Sequence, residues 1–245
     1  MSIIQGTAKA SGDASFYPFE IGQSLRFDGS SYLSKSFSES NRRTMTYSFW
    51  SKQSTLGVSS QIFSSGGSVS DQIFFGNNDI FRIYLSGGYR IETTAVFRDT
   101  SAWNHFVISI DTTNSYVRLY QNGSQIATGS ISANTDIKLN DAGTHYIGRY
   151  AASDAERFSG YMAEINFIDG TALTPTSFGE TKNGVWIPKN PSGLTYGTNG
   201  FRLSFALSDF NTSGSAVTDP HGSSTNVPDG YVADASGSGN HWDVN

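Results

Sequence analysis

Apolar residues along this chain recur with a period of two, and small polar residues interrupt them at short intervals. Met45, Tyr47 and Phe49 alternate with Thr46, Ser48 and Trp50, and Phe106, Ile108 and Ile110 share one face of a second run. Such a period puts alternate side chains on opposite faces of a β-strand. Comparable runs cover residues 25–27, 61–64, 72–75, 81–85, 116–120, 125–127 and 146–149, with a long one at 158–170 and a late one at 201–207. The gaps hold turn formers: Asp28-Gly29, Gly66-Gly67, Asn77-Asn78, Gly87-Gly88 and Asn122-Gly123. Asn-Gly between alternating strands is the strongest hairpin signal among these, because both turn residues tolerate positive φ. Thr174-Pro175 predicts a turn or short helix with proline at its first position. No amphipathic helix of any length is visible. Strands recurring at roughly ten-residue spacing predict a sandwich or barrel.

Three segments follow from this pattern. Residues 1–23 form an N-terminal arm, 24–207 a β-sandwich, and 208–245 a loop-rich extension packing on the same domain. Phe16, Tyr17, Pro18 and Phe19 are costly to leave in water, so the arm is expected to lay its aromatics on a neighbouring surface.

Composition sharpens the class. The 13% aromatic content carries much of the apolar burden, and 26 glycines fit many turns. A net charge of -5 without any basic run argues against a nucleic-acid partner. The absence of cysteine excludes disulfides and thiolate metal sites, and fits assembly in a reducing cytoplasm. The first residues lack the charged and apolar regions of a signal peptide, and no apolar run approaches the ~20 residues that span a bilayer. A soluble protein is expected.

Several motifs then occur in a telling order: Leu25-Arg26-Phe27-Asp28-Gly29, Thr46-Tyr47-Ser48-Phe49-Trp50-Ser51-Lys52, Trp103-Asn104-His105-Phe106-Val107, Val117-Arg118-Leu119-Tyr120-Gln121-Asn122-Gly123, Tyr146-Ile147-Gly148-Arg149 and Phe158-Ser159-Gly160-Tyr161-Met162-Ala163-Glu164-Ile165. Together, over residues 24–180, they resemble laminin-G-like modules of the concanavalin A-like lectin/glucanase superfamily. The resemblance implies an all-β jelly-roll sandwich of two curved antiparallel sheets. The stretch from Glu164 through Gly170, with Gly184-Val185-Trp186-Ile187-Pro188, Tyr196-Gly197-Thr198-Asn199-Gly200-Phe201 and the closing Ser-Gly-Ser-Gly-Asn-His-Trp, is similar to the form found in virion proteins of tailed, particularly marine, phages. One departure stands out. The Asp-x-Ser-Gly-x-Gly-Asn segment that usually precedes the Leu-Arg-Phe-Asp-Gly strand lies here at Asp234 to Asn240, so the order looks rotated, with 201–207 supplying a strand.

Candidate chemistry is sparse. Glu164, Asn166 and Asp169 resemble the Glu-x-Asp-x-x-Glu of laminarinase-type glucanases, but an amide replaces the middle carboxylate. Alternation sets Asp169 on the other face unless a bulge intervenes. Retaining hydrolysis needs two carboxyl groups about 5–5.5 Å apart. His105, His145, His221 and His241 show no zinc spacing, and His105 reads as a satisfied wall residue. Nothing requires an organic cofactor. The resemblance leaves a structural calcium open, with Asp28, Asp136, Asp141 and Asp154 as loop carboxylates, although each also reads as a turn former. Tyr84, Tyr89, Tyr150 and Trp242 adjoin loops and are the candidate glycan-binding platforms, against a background in which most aromatics pack the core. Asn122 and Asn211 match glycosylation acceptors.

These readings converge on a non-enzymatic virion structural protein: a head decoration, fibre or tail component, assembled in the host cytoplasm and held through its arm to other virion proteins as a symmetric homo-oligomer. Contact with host polysaccharide is compatible with that role. The alternatives are a free carbohydrate-binding module and a laminarinase-like glycosidase acting through Glu164.

Overall fold

The computed structural model describes residues 16–66, 70–206, 209 and 231–245. Two large antiparallel sheets pack face to face. The seven-stranded sheet runs β1 (Leu25–Asp28), β12 (Ser159–Asp169), β3 (Thr44–Gln53), β8 (Asn104–Asp111), β9 (Tyr116–Gln121) and β10 (Ser124–Ser130), and β15 (Phe201–Leu203) also pairs with β12. The eight-stranded sheet runs β16 (Tyr231–Val232), β17 (Trp242–Val244), β2 (Leu33–Phe37), β11 (Gly143–Ile147), β4 (Ser60–Ser65), β5 (Gln72–Phe75), β6 (Ile80–Leu85) and β7 (Gly88–Val96). The hairpin of β13 (Gly179–Lys182) and β14 (Val185–Pro188) stands apart from both. This is the all-β jelly-roll expected from the alternation. No helix among the described residues is long and apolar enough to cross a membrane.

The core lies between the sheets, where the period-two pattern predicts it. Met45, Tyr47 and Phe49 from β3 meet Phe106, Ile108 and Ile110 from β8, with Phe63, Ile73, Phe75, Phe81 and Ile83 opposite. The Tyr47 and Phe63 rings stack across the gap at 4.7 Å. The short helix expected at Thr174 is a single 3-10 turn, Pro175–Ser177. At Asn122-Gly123 the φ values are 47° and 83°, as the hairpin needs. Gly123 has a second reason: a Cβ there would lie 2.4 Å from the Trp186 ring.

The chain departs from the sequence reading in three places. Strand β7 was not foreseen, because its Arg90, Glu92, Thr93 and Thr94 offer little apolar alternation for an edge strand. The strand expected over 201–207 ends at Leu203, and Phe205 takes φ 56°. Trp242 is the largest correction. Rather than an exposed platform, it is completely buried, packed against Phe201 at 4.9 Å and Phe37 at 6.0 Å. Strand β17 pairs with β2, so this tryptophan is inserted between the sheets. Burying so large a ring outweighs the cost of leaving its indole N–H without an acceptor.

Strand β17 and the loop before it complete this sandwich. Asp234 anchors that loop, accepting the backbone N–H groups of Arg202, Ser236 and Asn240 and the Ser236 hydroxyl. The Asn240 amide in turn donates to the carbonyls of Thr198 and Gly200. The segment that looked displaced in sequence thus docks beside β15.

Candidate functional site

Strand β12 carries the polar residues that invited an enzymatic reading. Its ladder with β3 shifts register between Ala163 and Asn166, and Glu164 takes φ 45°. The bulge falls at Glu164, not between Asn166 and Asp169. Glu164 and Asn166 therefore share the outward face, while Ile165 and Phe167 enter the core. Asp169, at the strand end, does not join them.

All three polar groups are engaged by the chain itself. Both Glu164 carboxylate oxygens accept from Arg202, at 2.9 Å each, with little solvent access to either side chain. Burial alone would lower the pKa of Arg202, but the paired carboxylate holds it above its usual value. Asn166 accepts the Tyr196 hydroxyl at 2.7 Å and donates to the Glu164 carbonyl. Burial raises the pKa of the Tyr196 phenol, so it stays a donor. Asp169 accepts the Asn140 amide at 2.6 Å and the Asn199 backbone N–H at 3.1 Å.

The residues that engage Asn166 and part of Asp169 come from segment 171–200, which covers this face. Leu173, Phe178, Leu194 and Tyr196 form a second apolar cluster with Val107, Tyr120 and Ile168, which point outward from the sheet. Trp186 completes the cover. Its indole N–H donates to His105 Nδ1 at 3.1 Å, and the two rings stack at 5.9 Å. An indole nitrogen only donates, so Nδ1 must accept and the neutral ring carries its proton on Nε2. That proton is shared with Ser48 Oγ at 2.9 Å. The Ser48–His105 pair therefore has the wrong tautomer for a serine nucleophile, whose base must take a proton at that nitrogen. Burial lowers the His105 pKa to about 3. As expected, this histidine is a satisfied wall residue. Beside it, the void bounded by Ser48, His105, Glu164 and Asn166 measures about 10 Å³, room for one water and not for a sugar ring.

The open site lies next to this covered compartment. A cleft of about 570 Å³ runs between the segment 17–24 and Trp50, Trp103, Ala163 and Pro188. That volume is in the range of ligand pockets. Trp50 stacks on His105 at 4.8 Å and stays half-buried, which fixes its ring, while Trp103 is 37% exposed. Tyr161 lies 6.4 Å from Trp103, and the Lys52 ammonium sits 4.9 Å from the Tyr161 ring and 5.8 Å from Trp103. Glu20, Gln23 and Ser24 add polar groups to the wall. Phe19, Trp50 and Pro188 border both spaces, so they partition cleft from covered compartment.

The wall segment belongs to the expected arm. Its aromatics lie on their own domain, with Phe16 5.8 Å from the Lys182 ammonium and Phe19 5.8 Å from the Arg202 guanidinium. Residues 1–15 lie outside the described residues. Sequence reading missed Trp50 and Trp103 as site residues. The signal existed: Trp50 is out of phase with Met45, Tyr47 and Phe49, and so must face outward.

Among the other candidates, Tyr84 and Tyr89 come together on the outer face of the eight-stranded sheet, with ring centroids 5.2 Å apart. Tyr150 lies on the loop after β11, and Trp242 is in the core. The four aspartates suggested for calcium do not converge. Asp28 accepts from Ser30 and Ser31, Asp136 pairs with Arg43, Asp141 with Lys138 and Arg42, and Asp154 with Arg157. Among the described residues, no three His, Cys, Asp or Glu side chains gather as metal ligands. Of the glycosylation acceptors, Asn122 accepts the His105 backbone N–H in its turn, while Asn211 and His221 lie outside the described residues.

A two-sheet antiparallel sandwich with an aromatic cleft over one sheet defines a lectin-like β-sandwich protein. Residues 27–177 match the Laminin_G_3 family, described as the concanavalin A-like lectin/glucanases superfamily, and the chain belongs to it. Among solved structures, a Bacteroides ovatus protein provisionally assigned to carbohydrate binding aligns with a TM-score of 0.64 at 18% identity, over 91% of this chain and 57% of its own. This chain thus spans little more than half of that protein. Domain 4 of AbnA, a GH43 extracellular arabinanase from Geobacillus stearothermophilus solved with arabinotriose, aligns at 0.50 and 21% identity, over 64% of this chain and 75% of its own. At such identities the likeness is one of fold. No protein of curated function matches the sequence.

Proposed function

We propose that this protein binds carbohydrate, without cleaving it, in the cleft beside Trp50 and Trp103. The observation that carries this reading is the open cleft of about 570 Å³ with two tryptophans and Tyr17 on its walls, next to the Glu20 carboxylate and the Gln23 amide. Aromatic faces receive the C–H faces of sugars, and a few fixed polar groups set orientation. The carbohydrate-binding assignment of the Bacteroides ovatus protein and the arabinotriose bound to the arabinanase domain support the same reading. The non-catalytic part rests on Glu164, whose two oxygens are held by Arg202 beside a void too small for a sugar.

A glycan array followed by calorimetric titration tests this. Trp103→Ala is expected to weaken binding at least about tenfold, a loss of about 1.4 kcal/mol. Wild-type affinity in that variant would overturn the cleft as the site, and release of reducing ends from β-glucans would overturn the non-catalytic reading.

A second reading places the module on a tailed-phage particle as a symmetric homo-oligomer facing host polysaccharide. It is supported by the sequence resemblance to virion proteins and by Tyr17, 45% exposed on the segment expected to attach the domain. Absence of the protein from purified virions would sink it.

A further inference from the structure

The outer face of β4–β7 carries two ordered rows of side chains. Register places Ser64, Gln72, Tyr84 and Tyr89 side by side in one row. Gln61, Phe74, Arg82 and Glu92 form the next. Their alternates, including Ile73, Ile83 and Ile91, enter the core, so both rows point away from it. Gln61 and Ser64, held under loop 149–157, and Phe74 are buried, so the open part of the strip runs over β5–β7, about 10 Å across at strand spacings of about 4.8 Å.

The two ends of the strip differ. At the β7 end, Tyr84 and Tyr89 meet edge to face, and the Arg82 guanidinium lies 5.5 Å from the centre of the Tyr89 ring. Arg82 also pairs with Glu92 at 3.0 Å, so guanidinium, carboxylate and phenol ring are held relative to one another. Tyr89 is 53% exposed. At the β4 end, loop 149–157 borders the strip. Ser64 Oγ donates to the Arg149 carbonyl at 2.8 Å, and the Gln61 side-chain amide donates to Gln72 at 3.0 Å and to Glu156 at 2.7 Å. Gln61 Oε1 is left buried without a donor. The strip is thus an open tyrosine platform at one end and a buried amide cluster, closed by loop 149–157, at the other.

We propose that the open β5–β7 part of this strip is a second carbohydrate-binding face, taking a neutral polysaccharide laid across these strands. One sugar ring would stack on Tyr89, with hydroxyl partners at Arg82, Glu92 and Gln72. The chemistry favours a glycan over a protein partner. Only Tyr89 among these eight residues is an exposed large apolar side chain, whereas protein docking patches present several hundred Å² of contiguous apolar surface. It also favours a neutral sugar, because Arg82 and Glu92 offset each other and leave no net cation for a uronate or sialate. The strip belongs to a different sheet from the Trp50–Trp103 cleft, so the two faces can engage one polysaccharide or two, and the protein gains avidity without any new contact at either site.

Affinity electrophoresis of the full chain through gels holding laminarin, xylan, arabinan, galactomannan or polygalacturonate tests the proposal. In a Trp103→Ala background, which disables the cleft, at least one neutral polysaccharide should still retard the protein. Adding Tyr89→Ala should then weaken that retardation about tenfold, while Tyr89→Trp should preserve it. Three results would overturn the proposal: no retardation of the Trp103→Ala protein by any neutral polysaccharide, equal retardation with and without Tyr89, or polygalacturonate outcompeting every neutral polymer. An unchanged denaturation midpoint for Tyr89→Ala separates lost binding from lost folding.

Discussion

The two outward faces of this sandwich arise from the same alternation and end in opposite states. On β12, Glu164, Asn166 and Ile168 are 6%, 2% and 0% exposed, although all three point away from the main core. On β6 and β7, Arg82 and Tyr84 stay half-buried and Tyr89 is 53% exposed. The difference lies in what else points outward. The first face includes Val107, Tyr120 and Ile168, an apolar patch that water penalises, and segment 171–200 covers it with Leu173, Phe178, Leu194 and Tyr196. The second face presents Gln72, Arg82, Tyr84 and Glu92 at its β5–β7 end, polar groups that water solvates. Once a face is covered, its polar groups must find partners within the protein, because a buried unpaired group costs far more than an exposed one. That requirement explains the Glu164–Arg202 pair, the Asn166–Tyr196 bond and the Ser48–His105–Trp186 chain together.

The sharpest way to break the comparison is at Glu164. Glu164→Gln leaves the Arg202 guanidinium buried without its counter-charge, and chemical denaturation should show a loss of about 3–5 kcal/mol. Adding Arg202→Met should restore most of it. A single-variant loss below about 1 kcal/mol would mean that this pair behaves like a surface pair and that the face is not truly closed.

Acid should separate the faces next. The unfolded His105 titrates near 6.5 and the folded one near 3, so the folded state resists protonation that the unfolded state accepts. This contribution is fully present above pH 6.5 and is lost as pH falls toward 3. By pH 4.5 it should have removed about 2–3 kcal/mol. His145, whose pKa burial also lowers, acts in the same direction. In His105→Gln the slope of stability against pH between 6.5 and 4.5 should flatten, and an unchanged slope would show that the cover admits the proton.

The smallest effect is expected on the bare face. Tyr89→Ala should leave thermal and chemical stability within about 0.5 kcal/mol of wild type, as for exposed positions generally. A larger loss would show that this face, too, is covered in the protein as it exists.

How much of this was legible can be followed residue by residue. The core partners Tyr47, Phe49, Phe106 and Ile108 were readable because a period of two admits one inward set per strand. Gly123 was readable as a turn residue, but its contact with Trp186 lies 63 positions away and no local rule reports it. Trp242 was misread because its neighbours Gly239, Asn240 and His241 look like a loop, and they are one; the strand begins only at the tryptophan itself. Trp50, in β3, and Trp103, just before β8, do not stand out in the sequence because aromatic residues in and beside strands usually pack the core, and which outward positions remain open depends on what crosses them.

The sequence by itself determined the two-sheet class and the inward half of every well-patterned strand, because alternation and turn chemistry act over a few residues. The state of the outward half was decided only by the tertiary structure. Whether Glu164 meets a ligand or Arg202, and whether Trp242 meets a glycan or the core, depends on segments distant in the chain that return to cover one face and leave the β5–β7 part of the other open. Covering a surface is a property of three-dimensional packing, and no local pattern records it.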